Sequence, residues 1–178
     1  MENLAKDNIS KLLVKYSIPA ILAMLVTCLY NTVDRAFIGS MDGVGAYAIS
    51  GLGVTMPLFT LIGAFGVAVS VGGSTNISIK LGAKDKEEAE ILLGNTFALE
   101  LLGGFVIMVL GLVFIDQILY AFGASAKTLP YAKDYMGVIL LGAVVNLSGF
   151  SLNGAIRADG RPKLAATIMI VCSLLNLV

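Results

Sequence analysis

The chain has 178 residues, of which 57% are hydrophobic and only 13% charged, and its mean hydropathy is +0.90. A water-soluble domain is nearer half apolar, with about a quarter of its residues charged, so a soluble globular fold is excluded. The 12 basic and 12 acidic side chains cancel and are crowded into short segments, and nothing in that balance points to a nucleic-acid partner.

The first residues carry Lys6, Lys11 and Lys15, but the apolar run behind them is longer than a signal core and lacks a small-residue cleavage pattern. No cleaved signal peptide is expected, and residues 1–16 read as a cytoplasmic or interfacial segment. Within it Ile9, Leu12, Leu13 and Tyr16 recur at helical spacing against Ser10, Lys11 and Lys15, which suits a helix lying in the membrane interface or an extension of the first span. Spanning helices need roughly 20 mostly apolar residues. The candidates are Ile18–Ile38, Ala46–Ile79, Ile91–Ile115, Met136–Ile156 and Leu164–Val178. The fold class is therefore all-α and membrane-embedded, with about five transmembrane helices in 17–178.

The second run is too long for one perpendicular crossing, so it is expected to kink at Pro57 and to project its Ser70–Lys80 end from the bilayer. Small residues crowd it: Gly51, Gly53, Gly63, Gly66, Ser70, Gly72, Gly73, Ser74 and Thr75. Such residues let helices pack closely in lipid; the alternative is a polar stripe, Ser70–Asn76, along a water-filled cavity. Pro162 suits a first helical turn, so the fifth helix should begin near Lys163. From there to Val178 is about 24 Å of helix, with no polar flank or cap to close it, and a truncated chain is the simplest expectation.

Basic residues favour cytoplasmic loops. Lys6, Lys11, Lys15, Lys80, Lys84, Lys86, Arg157, Arg161 and Lys163 fall on one side, and Arg35, Lys127 and Lys133 on the other. That division puts the N-terminus in the cytoplasm. Cys28 and Cys172 lie in apolar runs, where a thiol behaves as a small hydrophobe and no disulfide framework is implied.

Enzyme chemistry has little to stand on. The chain has no histidine, its cysteines are on separate spans, and no acid cluster has metal-binding spacing. Gly51-Leu52-Gly53 lies inside an apolar span without the third glycine of a nucleotide fingerprint. No catalytic residue, metal or cofactor is expected. Ionisable groups within spans are costly and tend to face a protein interior or an aqueous path. Asp34 stands near the end of the first span in the string Tyr30-Asn31-Thr32-Val33-Asp34-Arg35. It can bind a proton or a sodium ion, or be an interfacial acid paired with Arg35. Glu100, among leucines in the third span, is the deepest acid; it serves either function or as partner to a polar group on another helix. Asn146, Asn153 and Asn176 can coordinate an ion or a substrate, or join helices.

Four strings occur in register: Ser17-Ile18-Pro19-Ala20, Asn31-Thr32-Val33-Asp34-Arg35-Ala36-Phe37-Ile38-Gly39, Leu81-Gly82-Ala83-Lys84-Asp85 and Arg157-Ala158-Asp159-Gly160-Arg161-Pro162-Lys163. Together they resemble the multidrug and toxic compound extrusion (MATE) family, from about Lys11 to Val178. The resemblance implies the first part of a twelve-helix, two-lobe antiporter that exchanges H+ or Na+ for cationic, amphipathic drugs and needs no cofactor. Its partners would be the lipid bilayer, the drug, and a C-terminal lobe or second chain. By the same resemblance Asp34 matches the ion-coupling aspartate, and Asn153 and Asn176 match asparagines lining the first-lobe cavity. A further aspartate of the pattern would fall beyond Val178, and Glu100 matches no family position. Pro19 and Pro57 are candidate bending points. A lipid-linked sugar flippase, a small non-transporting membrane subunit and an intramembrane enzyme using Asp34 with Glu100 are the alternatives.

Overall fold

A computed structural model describes residues 9–176. Within them the elements are α1 (Ile9–Gly39), α2 (Gly45–Gly82), α3 (Lys86–Val113), α4 (Ile115–Ala121), α5 (Leu129–Ala158) and α6 (Pro162–Asn176). Among the described residues there is no strand. Three helices, α2, α3 and α5, are long and apolar enough to cross a membrane, and α6 is a shorter apolar helix. With α1, 31 residues long, they make the five long helices expected. The five expected spans coincide with these helices, while their ends differ. The helix of the first span runs unbroken from Ile9, so the stretch to Tyr16 is an extension of it. The third run breaks at Phe114 and resumes as the short α4, and α5 starts earlier than Met136, with a proline in its first turn.

Backbone polar groups in hydrocarbon must be satisfied within the helix, which is why apolar runs of this length become helices. Their outward surface is apolar: Phe37, Val138 and Val145 are each at least 70% exposed. In water such a surface would be untenable; in lipid it is solvated. Length also decides how α2 sits. Its 38 residues extend about 57 Å, well beyond a hydrocarbon core of about 30 Å. Pro57 is accommodated inside the one continuous helix.

The packed core is the triangle of α2, α3 and α5, while α6 lies mainly against α1. Glycines set its register. A methyl group on Gly104 would stand 2.9 Å from the Val144 Cα, and one on Gly51 3.0 Å from the Ala132 nitrogen. Gly111 faces Leu140, Gly103 faces Phe65, Gly73 faces Thr96, and Gly66 faces Leu147 and Phe150. These contacts make α3 antiparallel to both α2 and α5. The small residues of α2 thus divide: Gly51, Gly66 and Gly73 are close-packing positions, whereas Gly53, Gly63 and Gly72 have nothing near them. Dispersion and close backbone approach are what hold helices together in lipid. The larger buried side chains, Leu119, Met136, Leu140 and Leu147, fill the rest.

Three helices end in the same way. The Asp85 amide donates to the Lys80 carbonyl and that of Lys84 to Leu81 at the end of α2; the Arg161 amide donates to Ile156 and that of Gly160 to Arg157 at the end of α5. Ala124 to Leu119 and Gly123 to Tyr120 repeat the pattern after α4. This paired closure needs one left-handed residue. Glycine supplies it at 123 and 160, with φ of 98° and 79°, whereas α2 uses Lys84 at φ 63°. The next helix starts at once, since the Asp85 side chain accepts from the Glu88 amide at 3.2 Å as the cap of α3.

Candidate functional site

Asp34 lies one to two turns from the end of α1 and is half-buried. Around it the α1 polar groups are largely turned onto their own helix. The Asn31 amide donates to the Thr27 carbonyl at 2.8 Å, and the Thr32 hydroxyl to the Cys28 carbonyl at 2.9 Å. Such bonds satisfy polar groups without a neighbouring helix. The carboxylate differs, since an acceptor-only group cannot bond to carbonyls of its own helix. The neighbouring Arg35 directs its guanidinium to the Met56 sulfur on α2, at 2.9 Å. Among the described residues no ion pair joins Asp34 to Arg35. Adjacent residues diverge by about 100° around a helix, which explains why the pair is not made. From α5, Tyr135 lies within electrostatic reach of Asp34, Arg35 and Tyr30. This end of α1 thus carries a half-buried carboxylate, a guanidinium that reaches Met56 on α2, and, within electrostatic range, the Tyr135 phenol of α5.

Asn153 is placed elsewhere. It lies on α5 about five turns beyond Tyr135, roughly 27 Å along the helix axis, and both ends of its amide are engaged. The nitrogen donates to the Ala165 carbonyl of α6 at 3.1 Å, and the oxygen accepts from Arg157 Nε at 3.0 Å. Arg157 also reaches the Met169 sulfur at 3.4 Å. These bonds tie α5 to α6 near their shared turn, so the structure does not bring Asn153 to Asp34. The side chain of Asn176 lies outside the described residues. Asn31 is exposed beside Asp34, and Asn146 is exposed on α5.

Glu100 stands halfway along α3, fully buried, with both carboxyl oxygens lacking a hydrogen-bond partner. It is far from Asp34 in the packing, because it faces the α2 and α5 side of α3 while α1 packs on α6 and, more lightly, α2. Two residues that sequence reasoning passed over complete these sites. Arg157 was signalled by its spacing of one helical turn from Asn153, while Tyr135 carried no local signal, because only the bundle brings α5 to α1. Among the described residues no group of three or more His, Cys, Asp or Glu could hold a metal.

Long apolar helices, a lipid-compatible exterior and a half-buried carboxylate near a helix end define a polytopic membrane protein built around buried polar groups. The family model described as MatE matches residues 19–178, and the chain belongs to that family of membrane transporters. It is 31% identical over 173 residues to the multidrug export protein MepA of Staphylococcus haemolyticus, and 28% identical to MepA of Staphylococcus aureus strain MRSA252. In both cases 97% of this chain aligns with 38% of the relative. Among solved structures it is similar to the MATE multidrug transporter DinF-BH, with a TM-score of 0.88 and 34% identity over 98% of this chain and 39% of that one. An outward-facing MATE family transporter of the MOP superfamily superimposes with a TM-score of 0.84 at 30% identity, over 92% of this chain and 36% of that one. The chain thus spans well under half the length of the relatives it matches, and these findings place it among multi-pass membrane transporters, not enzymes.

Proposed function

We propose that this chain forms the first five helices of a secondary active multidrug efflux antiporter, in which H+ or Na+ bound at Asp34 drives export of cationic amphipathic compounds. The observation that carries the reading is the half-buried Asp34 carboxylate near the end of α1, not paired with Arg35 and within electrostatic range of Tyr135 on α5. A carboxylate in such a place gains a counter-charge when it binds a cation and loses its charge when it binds a proton. Either event changes the balance between two packings of the surrounding helices. A second lobe, from further residues or another chain, supplies the other wall of the drug path. Asn153, and Asn176 by resemblance, belong to the first-lobe cavity at other depths.

In this reading the N-terminus and the turns at Lys84 and Gly160 face the cytoplasm, because the basic residues gather there. The test is efflux of a cationic, amphipathic fluorescent dye from vesicles carrying the full-length gene product under imposed pH and sodium gradients. Gradient-dependent efflux that Asp34→Asn lowers by about tenfold or more is the expected result. Efflux untouched by that substitution overturns the assignment.

A further inference from the structure

We propose that Glu100 is a proton-binding site sealed inside the α2, α3 and α5 junction, which holds the side chain as the neutral acid while packed and releases its proton when the helices part. The inference stands independently of the transport reading, since it rests on the interior of the three-helix core. Register gives the surroundings. Gly103 meets Phe65 and Thr96 meets Gly73, so the antiparallel helices put Glu100 level with Ala68 and Val69, next to Ser70. Gly104 meets Val144 and Leu147, which puts it level with the next turn of α5, from Leu147 to Ser151.

The hydroxyls at that level are spent, with one exception. Thr96 donates to the Leu92 carbonyl, Ser70 to Phe150 and Ser148 to Val144, while the buried Ser151 hydroxyl has no partner, like the two oxygens of Glu100. No positive charge among the described residues faces the acid. On α2 the nearest is Lys80, about three turns along, held near Asp85 and Glu88 at the surface. On α3 itself the nearest titratable group is Glu90, about three turns away and exposed. On α5 it is Arg157, almost two turns beyond Ser151 and occupied by Asn153 and Met169.

An ionised carboxylate with neither donor nor counter-charge in an apolar interior carries a desolvation cost of several kcal/mol or more. The neutral acid avoids most of that cost, because no unpaired charge is then left in the apolar interior. Three free oxygens also resemble a fragment of a cation shell, but a hard cation takes about six oxygen ligands and the remaining hydroxyls here are committed to carbonyls. A proton is the ligand that fits. Opening of the junction to water would ionise the acid, so one proton links the state of this core to pH.

The test is infrared spectroscopy of the full-length protein in detergent at neutral pH, with Glu100→Gln as the subtraction and Glu100→Leu as its replacement if the first variant fails to fold. The expected result is a carbonyl band of a protonated carboxylic acid that either substitution removes. Thermal unfolding supplies the second reading. With one proton lost on opening, the opening equilibrium constant should rise about tenfold per pH unit relative to Glu100→Gln wherever only the opened form is ionised. A carboxylate band at neutral pH, equal pH slopes in the two proteins, or stabilisation by sodium over potassium that needs Glu100 would each overturn the proposal.

Discussion

The hydroxyl of Ser70 donates to the main-chain carbonyl of Phe150 across 2.7 Å, and it can do so because Gly154, one turn further along α5, has no side chain to occupy the space. A methyl group on Gly154 would stand 2.5 Å from the Ser70 oxygen. Gly154→Ala should therefore expel the hydroxyl from its bond, and Ser70→Ala should remove it directly. Each is expected to cost about 1 kcal/mol, and the double substitution less than the sum, because the second change deletes the atom the first collides with. Melting curves in detergent of the four proteins check this; full additivity would separate the two residues.

The approach of Gly104 to Val144 offers a sharper contrast. At 2.9 Å the obstacle to a new methyl is a backbone atom, which cannot turn aside as a side chain can. Gly104→Ala should lower stability by about 1–3 kcal/mol, whereas Gly53→Ala, at a site with nothing within 4 Å, should be neutral or slightly stabilising. Equal melting points for the two variants would remove close packing of α3 on α5 as the source of register.

Lys84 holds a conformation that suits glycine, at φ 63°. Replacing it by glycine relieves a penalty of roughly 1 kcal/mol, and Lys84→Gly is expected to raise the melting temperature, with Lys84→Val lowering it. The neighbouring cap gives a control of opposite sign: Asp85→Ala removes the acceptor for the Glu88 amide and should cost about 1 kcal/mol. A stabilising Asp85→Ala would mean that the cap is dispensable.

For transport by the full-length protein, Asp34→Asn keeps size and polarity but cannot take up a proton or a cation's charge. Dye efflux should fall by about tenfold or more at normal expression, as loss of a coupling energy of 1–3 kcal/mol predicts. Glu100→Gln copies the neutral acid and should leave most efflux intact. The reverse pattern would exchange the roles of the two acids.

How far these features could be read in advance varies with their range. Helix existence followed from runs of apolar residues, and Pro162 marked a start because a first-turn proline acts locally. The break at Phe114 had no such mark, as the apolar pattern continues through it into Ile115 and Ile118. Asp34 and Glu100 stood out because charge is conspicuous among leucines. What no local pattern could supply was their company: Tyr135 comes within electrostatic range of Asp34 from a helix far along the chain, and the isolation of Glu100 depends on glycines and hydroxyls contributed by three helices. The bond of Asn153 to the Ala165 carbonyl was equally out of view, since it depends on how α6 folds back on α5.

The tight closures at Lys84 and Gly160 stand at the same end of the molecule, and each couples its two helices within a few residues of chain. Two such hairpins behave like tweezers joined at the tips of their arms. Their joined ends are held together by a few residues of chain, whereas the α3 to α5 connection at the far end is longer and contains α4. Over a helix of about 40 Å, such as the 28 residues of α3, a tilt of a few degrees at its turn would correspond to a shift of about 2–3 Å at the other end.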